Sequence, residues 1–106
     1  MVRSSIRMLI PLKKQNEALE ILGSMIEQIQ FEPGCINCRL YRDVQEERAL
    51  MLEEIWTGEK DLQRHLKSDR YRMILLVVEM AAEPPEIRFD TIVQSSGVEI
   101  IEQARA

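Results

Sequence analysis

The chain has 106 residues, 45% of them apolar and 30% charged, which fits one soluble globular domain and leaves no room for a second. Its net charge of -4 offers no basic excess to displace counterions from phosphates, so nucleic acid is not an expected partner. The longest unbroken apolar run, Met73 to Val78, is far below the ~20 residues that span a bilayer; with no legible signal peptide, no membrane partner and a cytoplasmic address are expected.

Residues 2 to 10 alternate, with Val2, Ser4, Ile6, Met8 and Ile10 on one face and Arg3, Ser5 and Arg7 on the other. That period of two predicts a half-buried strand ended by Pro11. From Lys13 to Phe31 the period lengthens. Ala18, Leu22, Met25 and Ile29 form one stripe, and Lys14, Glu17, Glu20 and Glu27 lie mostly opposite it. A long amphipathic helix is predicted, stopped by Glu32-Pro33-Gly34. Cys35 to Asp43 alternates again as a strand, Val44 to Glu47 reads as a loop, and Ala49 to Trp56 reads as a third strand.

This third strand carries Met51 and Ile55 on one face and Leu50, Leu52 and Trp56 on the other. Large apolar groups on both faces mark a central strand covered on both sides. Thr57 is placed to cap a short helix beginning at Gly58, and Ser68 to cap a second, Asp69 to Ala82. After Pro84-Pro85 a last strand, Glu86 to Val93, sets Ile87, Phe89, Thr91 and Val93 on one face. The domain is expected to span 1–96, with 97–106 a tail too short to assign.

Strand, helix, strand, strand, helix pair, strand is the order of an α+β ferredoxin-like βαββαβ sandwich with an antiparallel sheet. One layer of helices leaves the second apolar face of the third strand uncovered. An identical subunit related by a two-fold axis is the simplest cover, so a homodimer with two sheets face to face is expected.

Cys35 and Cys38 form a CxxC. A zinc site needs four ligands, and the chain adds only one histidine, His65, thirty residues away, so no metal is expected. In a regular strand positions i and i+3 point to opposite faces roughly 10 Å apart, too far for a disulfide. Two small, partly buried, reduced thiols are predicted.

Glu32-Pro33-Gly34-Cys35 after the first helix, Glu54-Ile55-Trp56 closing the third strand, and His65 nine residues after the Trp together resemble the antibiotic biosynthesis monooxygenase (ABM) domain. The resemblance covers roughly residues 2 to 95. It implies a dimeric α/β barrel and, for some members, oxidation of anthrones, naphthols or quinols by molecular oxygen without a cofactor. It also implies that Trp56 is the cavity aromatic, His65 the histidine on the short helix and Glu54 the strand carboxylate. Two departures stand out. Leu52 fills the position of an amide that members oxidising polyketides present. The first strand has Ser4, Ser5 and Ile6 where members that degrade haem carry an asparagine, which disfavours haem chemistry.

The residues themselves allow two readings. His65 is the only side chain whose unperturbed pKa suits proton transfer near neutrality, yet an inward histidine paired with a carboxylate is also a common structural device. Glu54 shares a face with Leu50, Leu52 and Trp56 and needs a partner there. A four-residue loop sets it opposite Asn37, with Arg39 and Tyr41 on the same face. As an enzyme, the protein would use His65 as base and Glu54 to orient it. Trp56, Asn37, Tyr41 and Leu52 would then hold a small hydrophobic aromatic substrate, a quinol or anthrone, with molecular oxygen as co-substrate and no cofactor. The alternative is a non-catalytic dimeric module that binds a small ligand or serves as a stress-related accessory protein.

Overall fold

The computed structural model describes residues 1–106. Alternation from Val2 to Leu9 makes β1, with Val2, Ser4, Ile6 and Met8 buried. The apolar stripe of α1 (Leu12–Ile29) buries Ala18, Leu22 and Ile29. There follow β2 (Cys35–Arg42), β3 (Ala49–Trp56), α2 (Glu59–Leu66), α3 (Asp69–Val78), β4 (Glu86–Thr91) and α4 (Val98–Ala104). The strands form one antiparallel sheet in the order β2-β3-β1-β4. This is the expected ferredoxin-like α+β architecture, with β3 in the middle of the sheet. No helix is long and apolar enough to cross a membrane.

Helices cover one face only. There Ile6, Met8, Leu50, Leu52 and Trp56 meet Ala18, Leu22, Leu62 and Ile74 in a continuous core. The other face is mainly charged: Arg3 pairs with Asp90 at 3.6 Å, Arg88 with Asp90 at 3.3 Å, and Arg7 with Asp43 at 3.3 Å. Met51 and Ile55 sit half-buried among these groups, separated by Glu53. The second face of β3 is thus less apolar than alternation alone implied.

The hairpin register corrects the sequence-based pairing. Past Arg42 the chain turns back: the Asp43 N–H donates across the hairpin to the Ala49 carbonyl at 3.2 Å, and the Asp43 Oδ1 accepts from the backbone N–H groups of Gln45 (2.7 Å) and Glu46 (3.3 Å). The loop therefore occupies 43–48 rather than 44–47, and the strands slip by one residue. Cys38 stands opposite Glu54, while Asn37 stands opposite Ile55 and Tyr41 opposite Met51. Because side chains alternate, that slip moves Asn37, Arg39 and Tyr41 to the charged face, away from Glu54.

A β-bulge between Cys35 and Asn37 then places Cys35 opposite Trp56. The extra residue cancels the alternation, so Cys35 and Cys38 share the helix-covered face instead of pointing apart. Both thiols are free.

The helix termini agree with expectation at one site and depart at another. Ser68 caps α3, its Oγ accepting from Tyr71 N–H at 3.2 Å, and the helix ends at Val78 rather than Ala82. Gly58, not Thr57, is the N-cap of α2. The Thr57 hydroxyl instead lies 2.9 Å from Asp61 Oδ2 and 3.1 Å from the Gly34 carbonyl. None of α4 is buried.

The turn after α1 is held from three sides. Thr57 N–H donates to the Gly34 carbonyl at 2.8 Å. Arg64 donates to the Pro33 carbonyl at 2.7 Å and to Asp61 at 2.6 Å. Gly34 adopts φ +83°, and a Cβ there would overlap the Asp61 carboxylate. Gly34→Ala is therefore expected to destabilise the fold by at least about 1–2 kcal/mol from the left-handed conformation alone. Urea unfolding measures this, and an unchanged midpoint would contradict it.

Candidate active site

Three elements bring acid–base groups to one point. β3 delivers Glu54 and Trp56 on its helix-covered face, because they are two residues apart in a strand. The α2 helix carries His65 inward one turn after Leu62, and the turn after α1 supplies Glu32. Glu54 is 1% exposed, Trp56 and His65 0%, and the Glu32 side chain 8%.

His65 bridges the two carboxylates. Its Nε2 lies 3.0 Å from Glu54 Oε2, and its Nδ1 lies 3.1 Å and 3.2 Å from the two oxygens of Glu32. Trp56 Nε1 donates to the other Glu54 oxygen at 3.2 Å. The Trp56 and His65 rings sit 4.5 Å apart, centroid to centroid, at 31°, and Tyr71 presents its edge to His65 at 5.3 Å. Every side-chain polar atom of His65, Glu54, Trp56 and Glu32 has a partner, the condition under which a buried charge is tolerated.

The charge balance favours the imidazolium. Burial opposes charge on the ring, but the hydrogen bond and charge of Glu54, followed by those of Glu32, outweigh it and raise the His65 pKa above its ordinary value. Burial, then the charges of Glu54 and Glu32, pushes the Cys35 thiol up to about 11 and raises the Cys38 thiol further. Neither cysteine is a ready nucleophile, since the thiolate is the reactive form. No group of three or more His, Cys, Asp or Glu side chains is arranged to hold a metal ion.

Of the residues singled out in the sequence, His65, Glu54 and Trp56 meet here. Leu52 lies on the same sheet face, buried two residues from Glu54. Asn37 and Tyr41 do not join them. Asn37 sits on the charged face with its Oδ1 buried and without a hydrogen-bond partner. Tyr41, 44% exposed, helps line a cavity of about 160 Å³ with Arg7, Arg42, Asp43, Leu50 and Met51. A cavity of about 290 Å³ also lies on the charged face. None of the cavities is lined by His65, Glu54 or Trp56. Glu32, the second carboxylate on His65, is absent from the sequence-based set. Its position before Pro33-Gly34 reads as a helix stop, and only the folded turn shows what its side chain meets.

The profile of the family described as antibiotic biosynthesis monooxygenase matches residues 1–84, from β1 past the end of α3. An uncharacterized protein of Synechocystis is 25% identical over 83 residues, 77% of this chain and 56% of the relative. The chain thus spans about half the length of that relative. A conserved protein from Methanosarcina mazei has a solved structure with a TM-score of 0.79 at 26% identity, covering 84% of this chain and 89% of that one. The structure of Rv0793 from Mycobacterium tuberculosis gives 0.80 at 21% identity, over 91% and 98% of the two chains. A structure described as an antibiotic biosynthesis monooxygenase gives 0.79 at 17%, over 89% and 100%. These last two likenesses show the fold.

The His65 clamp has a pH signature. A histidine whose folded pKa is raised contributes stability fully below its unfolded value of about 6.5 and loses it as pH rises through the folded value. The unfolding free energy should therefore fall as pH rises from about 6.5 into the alkaline range, and His65→Gln should lack that component. Denaturant unfolding at stepped pH checks this. A wild-type slope equal to the variant's would contradict it.

Proposed function

The chain belongs to the antibiotic biosynthesis monooxygenase family, and from that premise we propose that it oxidises a small aromatic quinol- or anthrone-like substrate with molecular oxygen, as a homodimer. The observation that supports this most is a titratable ring, His65, held between two carboxylates and against Trp56 in a site shielded from water. In oxidation of an anthrone, the ring CH₂ becomes a carbonyl. One oxygen atom enters that carbonyl and the other leaves in water, and the substrate supplies all four electrons. The reaction in this form draws on no resident cofactor.

The protein's part is then to bind, deprotonate and exclude water. In this reading His65 acts from its neutral form, taking the substrate proton on its free ring nitrogen and becoming the imidazolium. Glu54 fixes the ring through Nε2, and the positive imidazole edge favours the anion that forms beside it. Trp56 and Leu52 give the flat substrate an apolar support. Access requires the side chains over Trp56 to part, because the three residues are packed without a cavity.

The homodimer is supported by the charged sheet face. Met51 and Ile55 are half-buried there, and Asn37 Oδ1 lacks a donor. A two-fold copy laid sheet to sheet covers the first two and offers a donor to the third. Asn37 and Tyr41 would then face the partner or a ligand enclosed between the sheets.

A second reading is favoured by the absence of a cavity at His65. In that reading the cluster is a structural keystone, and the protein is a non-catalytic dimeric module that binds a small ligand or acts in an accessory role. Oxygen uptake by metal-free protein with a panel of dihydroquinones and anthrones separates the two. Turnover with at least one substrate is expected, and His65→Gln should lower it by roughly 10²-fold or more. No uptake above the uncatalysed rate would overturn the monooxygenase reading. Sedimentation equilibrium should return about twice the monomer mass, and a monomer at all concentrations would overturn the dimer.

A further inference from the structure

The proposed function uses Glu54 and His65 but leaves Glu32 unassigned, although Glu32 faces the other ring nitrogen with both carboxylate oxygens. Three features set it apart. It is the member of the cluster nearest solvent, 8% exposed where His65 and Glu54 are 0% and 1%. It is also the one in reach of a surface cation, with Arg70, 43% exposed, 3.8 Å away. Finally, its backbone belongs to the turn that Thr57, Arg64 and the left-handed Gly34 fix in place. A side chain on an ordinary helix end would sample several rotamers, whereas this one is tied at its base and at its tip.

We infer that Glu32 is a positioning residue: it locks the Nδ1 edge of His65 in one orientation and is the route by which that nitrogen exchanges its proton with solvent. The inference rests on the reading of His65 as the working group of the site. The step is a proton transfer alone. The Nδ1–H bond breaks, an O–H bond forms on Glu32, and the proton passes from that carboxyl to water at the surface, leaving a neutral imidazole with its proton on Nε2 toward Glu54. The reverse sequence restores the imidazolium. No other side chain offers this path. Glu54 is enclosed, with one oxygen on His65 and the other on Trp56. Tyr71 meets the ring edge-on through its own ring, and its phenol pKa is raised by burial and then by Glu54. Cys35 and Cys38, on β2 beside Glu54 and Glu32, are held as neutral thiols.

His65 is the sole histidine, so its ring signals in an NMR titration are unambiguous. In wild-type protein at neutral pH, ring ¹⁵N shifts should report protons on both nitrogens. An unprotonated Nδ1 at pH 7 would overturn the inference without any variant. In Glu32→Gln the ring pKa should fall by about one unit or more, the usual effect of losing an adjacent opposite charge, and Glu32→Asp should recover part of the shift. A pKa in Glu32→Gln within about 0.2 units of wild type, with a folded amide spectrum, would also overturn it. Where wild type turns over a quinol, the pH profile of kcat/KM should move with the ring pKa. These ring measurements need no activity, so loss of the monooxygenase reading and loss of the Glu32 inference remain separate results.

Discussion

An imidazole ring between two carboxylates, out of contact with water, is the constraint around which this small fold is arranged. Bringing a charge into an apolar interior costs several kcal/mol unless partners replace its hydration. Here both ring nitrogens face carboxylates, and the second oxygen of Glu54 accepts from Trp56. The partners come from three separated parts of the chain: the turn after α1, the end of β3 and the inward face of α2. Each must be placed to a fraction of an ångström, so a small error at one would strand a charge at another. The tethers around Pro33, Gly34, Thr57, Asp61 and Arg64 make sense in that light. They hold the turn that carries Glu32 against the start of the helix that carries His65.

The same cluster restrains the chemistry nearby. Its negative oxygens and its burial keep the two β2 thiols protonated. The bulge that brings Cys35 and Cys38 to one face therefore creates a pair of neighbouring but unreactive cysteines. On the opposite face, alternating arginines and carboxylates pair with one another. The sheet thus separates a closed site with one titrating ring from an open charged surface.

Much of this was legible in the sequence where a single period dominated. Alternation located β1 and β3, the helical stripe of Ala18, Leu22 and Ile29 located α1, and Ser68 marked the start of α3. Glu54 and Trp56 share a face by spacing alone, and an inward His65 follows from Leu62 one turn earlier. What failed in the hairpin were decisions of one residue. Asp43 looks like the last residue of a strand, but its carboxylate is better used accepting two backbone N–H groups in the turn. That local hydrogen bonding shifts the hairpin by one and moves Asn37 and Tyr41 to the other face. The bulge at Ile36 leaves no mark in the hydrophobic pattern, so the common face of the cysteines was hidden too. Glu32 was invisible for another reason: it lies 33 residues from His65, and contact across such a distance exists only once the turn and helix have docked.

The central claim is that Glu54 and His65 stabilise each other inside the protein, beyond what each contributes alone. A double-mutant cycle with Glu54→Gln, His65→Gln and the combined variant, followed by urea unfolding at pH 6, measures that coupling directly. Residues in direct contact within one buried network couple by about 0.5–3 kcal/mol, and a value of at least about 1 kcal/mol is predicted here. Single-variant losses that simply add, within about 0.3 kcal/mol, would contradict the account.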